Sequence, residues 1–433
     1  MSFILKFFDK LAEEEDDELI EILRGAYWHI LFLSMLFPRW KNLFASLVLL
    51  LFYSFILGLH EVMLIYSLYL AILERNWMQA SLLIHYVILG ALAAYYCFFF
   101  NGIRKFIAET HRTFAKDIGH YSSGRIYAEQ PCIDIKEEVK IQGYFYMITP
   151  GVTALVGAIA LAGPYLSKWY SGVEHPYSPN GLSMKLPMVL YYPFSTDRGV
   201  VHYVIVGTQI IVGGVAALLI VSSELILINI CQSMKYELRV IGYSMDSLRA
   251  RSMYLMDENN IPRKLRRLVT QDTDFQRIVE LCIKETIAHH QTMTGILSTF
   301  NALTRFSFGL AMLSGLLTIV ISLYNILLGL RRNEIGNCIT FSITLSAETL
   351  AIFLNCVIGA ALTKESEILR DQLYFTEWYN FDLKNRKLFL NFQTAVTQPY
   401  VIKGGGIMDL KMDTFSSIMN SAYSFFNIMQ TME

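Results

Sequence analysis

The sequence predicts an all-α membrane protein of seven transmembrane helices, with a cytosolic N-terminus, an extracellular C-terminus and a helical anchor domain in the cytosol. Three observations predict this class. Of 433 residues, 54% are hydrophobic and only 17% charged, whereas soluble domains run near a quarter charged. Apolar runs of about 20 residues, the length that crosses a bilayer, recur from Asn42 onward. Finally, Lys and Arg are unevenly placed: Arg75, Lys168, Lys185, Arg198, Arg331 and Arg332 fall in alternate loops, Arg305 falls within a span, and the rest lie on the N-terminal side. Positive residues collect on the cytosolic side, which sets the orientation.

The elements follow in order. Residues 1–41 form a cytosolic region with a short apolar piece, "FILKFF", and an acidic run, Glu13–Glu18, read as a solvated helix start. No cleavable signal peptide is expected. Spans are placed at about 42–62, 78–101, 141–166 and 199–231, so that 42–234 holds the first four. Residues 235–298 have apolar positions at helical spacing (Leu238, Ile241, Met245, Leu248, then Ile278, Leu281, Ile283, Ile287), which predicts that the fourth and fifth spans continue into the cytosol and join near "ENNIP". The fifth and sixth spans, about 299–329 and 336–363, fill 299–363. Residues 364–407 hold an amphipathic stretch, Glu367–Val396, too charged to span, and a glycine hinge at Gly404–Gly406. The terminal span occupies 408–433.

Several function classes are excluded or unsupported. Net charge is −1, so no basic surface suggests a nucleic-acid partner. The six cysteines, mostly in spans or cytosolic segments, imply no disulfide framework. His289 and His290 lack a third ligand at metal spacing and, as helix neighbours, point about 100° apart. The glycine triplet lacks the strand and the GK[ST] of a phosphate loop. No enzyme, cofactor or metal is expected. Glu224 and Glu348 lie inside spans, where ionisable groups are functional candidates by default, and Arg305 reads as a border residue that snorkels.

The terminal span carries the main functional signal. At 100° per residue, Ser417, Asn420, Ser421, Ser424, Asn427, Ile428, Thr431 and Met432 fall within about 80° of Ser417. Phe415, Ile418, Met419, Ala422, Phe426 and Met429 occupy the opposite face, with Phe425 at the border and Gln430 as a polar exception. One reading is that the polar groups bind neighbouring helices. The other is that they line water, with apolar residues near the outer end forming a constriction. A single helix cannot enclose a pore, so this second reading requires several copies around an axis.

From Leu354 onward the chain resembles the insect odorant receptors. The resemblance rests on Glu377-Trp378-Tyr379, Arg386-Lys387, the Pro399…Gly-Gly turn, Thr414-Phe415 and the Tyr423-Ser424-x-Phe426 ending. "YYPF" (Tyr191–Phe194) and His290-Gln291 add to it upstream, while Ala422 departs from the family's usual Ser-Tyr-Ser. The resemblance implies a tetrameric, ligand-gated, non-selective cation channel in the plasma membrane of a sensory dendrite. It further implies a small volatile odorant as ligand and a co-receptor subunit as partner within the lipid membrane. Without an insertion between the fourth and fifth spans, the chain looks like a tuning subunit. Carried over, the odorant pocket points to His85, Tyr86, Ala154, Gly157, Ala158, Ala162, Val206, Gln209, Ile210, Phe341, Thr344, Leu345 and Glu348. The small residues of the third span could instead serve close helix packing. Competing readings are a gustatory-type homomeric channel, a G-protein-coupled receptor and a secondary transporter. The inside N-terminus argues against the receptor reading, and the lack of an internal repeat against the transporter.

Overall fold

The fold was analysed in a computed structural model, which describes residues 43–115, 118–122, 126–148, 150–152, 154–155, 186–188, 190–196, 199–258, 272–331, 335–406 and 408–431. The helices are α1 (Leu43–Leu73), α2 (Trp77–Ala115), α3 (Gln130–Tyr146), α4 (Gly199–Asp246), α5 (Leu248–Glu258), α6 (Thr273–Arg331), α7 (Ile335–Phe375), α8 (Leu383–Val396) and α9 (Met412–Thr431). A two-stranded antiparallel hairpin, β1 (Lys403–Gly404) and β2 (Met408–Asp409), precedes α9. Five helices among the described residues (α1, α2, α4, α6 and α7) are long and apolar enough to cross a membrane. The chain is a multi-pass, all-α membrane protein. The exposed faces of α1 are apolar (Leu51, Phe55, Leu59, Val62, Ile65), as a lipid-facing helix requires.

Length explains the two-part shape. The 59 residues of α6 rise ~88 Å at 1.5 Å each, far more than a ~30 Å hydrocarbon core. The 48 residues of α4 likewise overrun it. The overrunning halves pack through Leu238, Ile241, Met245, Ile278 and Ile283, all buried in the same core as Phe381, Phe389 and Phe392. Both helices are continuous well beyond a bilayer's length; the expected junction near "ENNIP" lies outside the described residues. Much of the third span and Gly157, Ala158, Ala162 and Met432 lie outside them as well.

Several boundaries differ from expectation, among them the second helix, which runs to Ala115 rather than 101. The first helix runs on to Leu73, eleven residues past the expected end at 62, because its apolar pattern tolerates His60 and Glu61 mid-helix. The stretch Glu367–Val396 is two helices rather than one. α7 continues to Phe375, and a turn at Trp378–Asn380 then leads to Asp382, whose carboxylate caps α8 by accepting from Asn385 N at 2.7 Å. Gln276 of α6 fixes this corner. Its Oε1 accepts from Asp382 N at 3.0 Å and Asn385 Nδ2 at 3.0 Å, and its Nε2 donates to Asn380 O at 3.1 Å. Arg386 adds bonds to the carbonyls of Phe381 (2.8 Å) and Tyr379 (2.7 Å). The glycine hinge is a tight hairpin turn, with Gly405 and Gly406 at φ 64° and 76°, a region that L side chains resist.

The segment entering that hairpin is stitched between α6 and α7. Tyr400 N donates to Ser366 Oγ (2.9 Å), Tyr400 O accepts from Thr363 Oγ1 (2.8 Å), and Asn301 binds Val401 O (2.8 Å) and Lys403 N (3.0 Å). The His290 ring packs against Phe392 and Tyr400, with centroids 5.5 and 5.7 Å away. Burial first, then the neighbouring His289, lowers the His290 pKa to about 4. An unfolded histidine near 6.5 then binds more protons than the folded one, so stability falls as pH drops from about 6.5 to 4. On the order of 3 kcal/mol is lost across that window. Thermal unfolding of purified chain at pH 7 and 4.5 checks this: His290→Phe should flatten part of the slope, and an unchanged slope would contradict it.

Candidate functional site

Two features stand out: a cavity among the membrane helices and the outward face of α9. The cavity measures about 180 Å³, small beside the ~300–1,000 Å³ of common ligand pockets. It is walled by α1, α2, α4, α6 and α7, with Met188 of the segment before α4. Most of its surface is apolar: Leu57, Leu64, Leu89, Val212, Ile220 and Phe308 are among the contributors. Its polar groups are His60, Glu61, His85, Tyr86, Tyr96, Glu224 and Glu348, with Ser223, Ser314, Thr344 and Asn355.

Of the residues expected to hold a ligand, four line this cavity: the neighbours His85 and Tyr86 on α2, and Thr344 and Glu348, about one helical turn apart, on α7. The other described ones sit elsewhere. Gln209 is fully buried beside it, and its amide is engaged: Oε1 accepts from Met188 N at 2.9 Å, while Nε2 donates to Met188 O at 3.1 Å and Tyr192 Oη at 3.2 Å. Gln209 therefore fastens the 186–192 segment over the cavity. Tyr191 N, bound to Ser67 Oγ at 2.8 Å, and the His60 Nε2–Met188 Sδ contact at 3.0 Å help hold it. Ala154 and Ile210 are exposed, Val206 is half-buried, and Phe341 is buried away from the cavity. Leu345 packs instead in the cluster beneath α9. Sequence reasoning missed the α1 contribution. Its signal was the adjacent pair His60-Glu61 inside an apolar run.

The terminal helix packs on α6 and α7. Ile418 and Ala422 are buried with Met312, Ile319, Ile352 and Cys356, and Phe415 and Met419 pack against them. Ser417, Asn420, Ser421, Ser424 and Ile428 are exposed, and Asn427 is half-buried. The side chain of Thr431 lies outside the described ones. The serine hydroxyls are satisfied within the helix: Ser417, Ser421 and Ser424 each donate to a carbonyl four residues back at 2.9 Å. Asn420 cannot be dismissed this way. A carboxamide has four hydrogen-bonding sites, and none is used by a described residue. Two cavity residues, Met312 and Ile352, also belong to the cluster under Ile418 and Ala422. The cavity and α9 thus share a packed wall.

Comparison with known proteins gives the family. The model of the 7tm odorant receptor family matches residues 124–423, well over half of the chain. Among curated relatives, odorant receptor 46a (isoform A) of Drosophila melanogaster is 25% identical over 169 residues, covering 39% of this chain and 43% of that one. Odorant receptor 2a of the same species is 35% identical over 85 residues, or 19% and 21% of the two chains. Each of these matches spans less than half of the relative's length. Solved structures of the insect olfactory receptor OR5 from Machilis hrabei, with eugenol and without, share the fold at a TM-score of 0.71 over 96% of this chain and 100% of that one, with 12% identity. With its all-helical membrane fold and this match across most of its length, the chain belongs to the 7tm odorant receptor family.

Proposed function

We propose that the chain is the odorant-tuned subunit of a tetrameric, ligand-gated, non-selective cation channel, assembled with a co-receptor subunit in the plasma membrane of a sensory dendrite. A small volatile with a largely apolar body occupies the cavity, and copies of α9 surround the pore. The observation that carries this reading is the split character of α9. Ile418 and Ala422 are buried while Asn420 and the serines face outward. At membrane depth an unpartnered carboxamide requires water or another polar group. Several α9 helices around an axis supply both.

The shared wall provides the link between ligand and pore. A ligand pressing on Met312 and Ile352 from the cavity side changes the surface on which Ile418 and Ala422 rest. It opens the channel only if it binds the open arrangement better than the closed one. About 1–3 kcal/mol per site is a usual coupling. Burial of apolar ligand surface at ~25 cal/mol per Å² supplies that from roughly 100 Å².

The test is expression with and without the co-receptor, recording cation current against a panel of volatiles. Current in the co-expressing cells supports the reading. Current from the chain alone would reassign it as a homomeric channel. Silence toward every volatile, with the chain confirmed at the cell surface, would overturn it.

A further inference from the structure

The cavity is more acidic than a pocket for neutral volatiles needs to be. Glu61 of α1, Glu224 of α4 and Glu348 of α7 all line it. Glu224 has a partner within the protein. Glu61 and Glu348 have none: among the described residues neither makes a hydrogen bond or an ion pair, and no Lys or Arg lines the cavity. A separate observation points to a guest. His85 is 4% exposed and lines the same cavity, yet its buried Nδ1 has no hydrogen-bond partner. Buried polar groups are normally satisfied, and ionisable groups inside a membrane protein ordinarily face a partner or a substrate.

The arrangement around Glu61 is specific. An added Cβ at Gly90 would stand 3.3 Å from Glu61 Cδ and closer still to Oε2. Glycine on α2 leaves room for the carboxylate in this rotamer. Around the acids the walls are aromatic and apolar, including Tyr86, Tyr96 and Phe308. Aromatic faces attract cations, and a carboxylate binds an ammonium group through charge-assisted hydrogen bonds. A ligand that complements this lining has one cationic head and a compact hydrocarbon body.

Resting on the reading of this cavity as the ligand site, we infer that it takes a small protonated amine, whose ammonium group is held by Glu61 and Glu348 while its hydrocarbon part lies against the apolar wall. Neutral alcohols of the same shape lack the charge and bind more weakly. His85, with its free Nδ1, accepts from the ammonium or from a ligand hydroxyl.

The probe pair is 3-methylbutylamine and 3-methylbutanol, matched in shape and differing in the head group. Both are applied to the full-length chain co-expressed with its co-receptor, and both are tested for thermal stabilisation of the purified full-length chain. The amine should be the more potent by about ten-fold or more, the worth of one charge-assisted hydrogen bond. Glu61→Gln and Glu348→Gln should each erase most of that difference by weakening the amine, while surface expression and alcohol-induced stabilisation report that the variants fold. An alcohol as potent as the amine, or amine potency indifferent to both substitutions, would overturn the inference and leave the channel reading intact. Amine-specific stabilisation without any current would support the inference and count against the channel reading. Neither stabilisation nor current from the amine would overturn the inference.

Discussion

Replacing Gly359 by alanine is expected to displace the hairpin that launches the terminal helix and to remove most ligand-evoked current. On α7, a Cβ at Gly359 would lie 2.7 Å from Leu410 Cβ and nearer still to the Leu410 carbonyl oxygen. On α6, a Cβ at Gly309 would lie 2.6 Å from Gly405 Cα and 2.7 Å from Gly405 N. In both cases backbone meets backbone, so no rotamer change relieves the clash. Gly405 N already donates to Arg305 O at 2.5 Å, which fixes the turn against α6. Overpacking of this kind costs about 1–3 kcal/mol, occasionally more. Gly295→Ala is the control. Nothing lies within 4 Å of a Cβ there, and removing a helix-interior glycine adds up to ~1 kcal/mol. Thermal unfolding together with current amplitude checks the pair. A Gly359→Ala protein as stable and active as Gly295→Ala would contradict the close-approach argument.

Loss of the Glu365 carboxylate is expected to be the most destabilising change where α3, α4 and α7 meet. Glu365 of α7 is 7% exposed and reaches α4, with Oε1 at 2.7 Å from Arg239 Nε and Oε2 at 3.8 Å from Lys235 Nζ. Glu138 of α3 holds the other side of Arg239 at 2.7 Å. Burial pulls the Lys235 ammonium below the usual lysine range, with Glu365 acting against that. Glu365→Ala therefore leaves a half-buried guanidinium and a buried ammonium short of charge. Breaking a buried pair costs about 3–5 kcal/mol; Glu138 and the Lys235–Gln142 hydrogen bond at 2.5 Å keep the loss toward the lower end. Glu365→Gln should cost less because one hydrogen bond can survive. Equal, small losses in both variants by thermal unfolding would show that the ion pair is immaterial.

Much of the frame was readable before any coordinates. Helical spacing at Leu238, Ile241 and Met245 marks a buried helix face, and α4 runs unbroken through all three. The faces of α9 followed from a 100° step alone: Ile418 and Ala422 are buried and Ser417 and Ser421 exposed, as that wheel places them. Boundaries were harder. A run of ~20 residues is enough to fill a bilayer, so length alone ends the first span at 62, although the apolar run continues through Leu73. The corner at 376–382 was missed because amphipathic periodicity is nearly continuous across it. Its local signal was Asp382 three residues before Asn385, a cap spacing. The cavity was least legible. The bond between Gln209 and Met188 joins residues 21 apart, and Glu61 and Glu348, which line the same cavity, lie far apart in the sequence. Nothing local in the sequence encodes either.

The most direct measurement is cysteine accessibility along α9 in the assembled receptor. Single cysteines at Ser417, Asn420, Ser421 and Ser424 should react with a membrane-impermeant thiol reagent, faster with ligand present, and the reaction should reduce current. Cysteines at Ile418 and Ala422 should stay protected by α6 and α7. Equal protection at all six positions would mean that the outward face is packed rather than wet, and conduction through this helix would be ruled out.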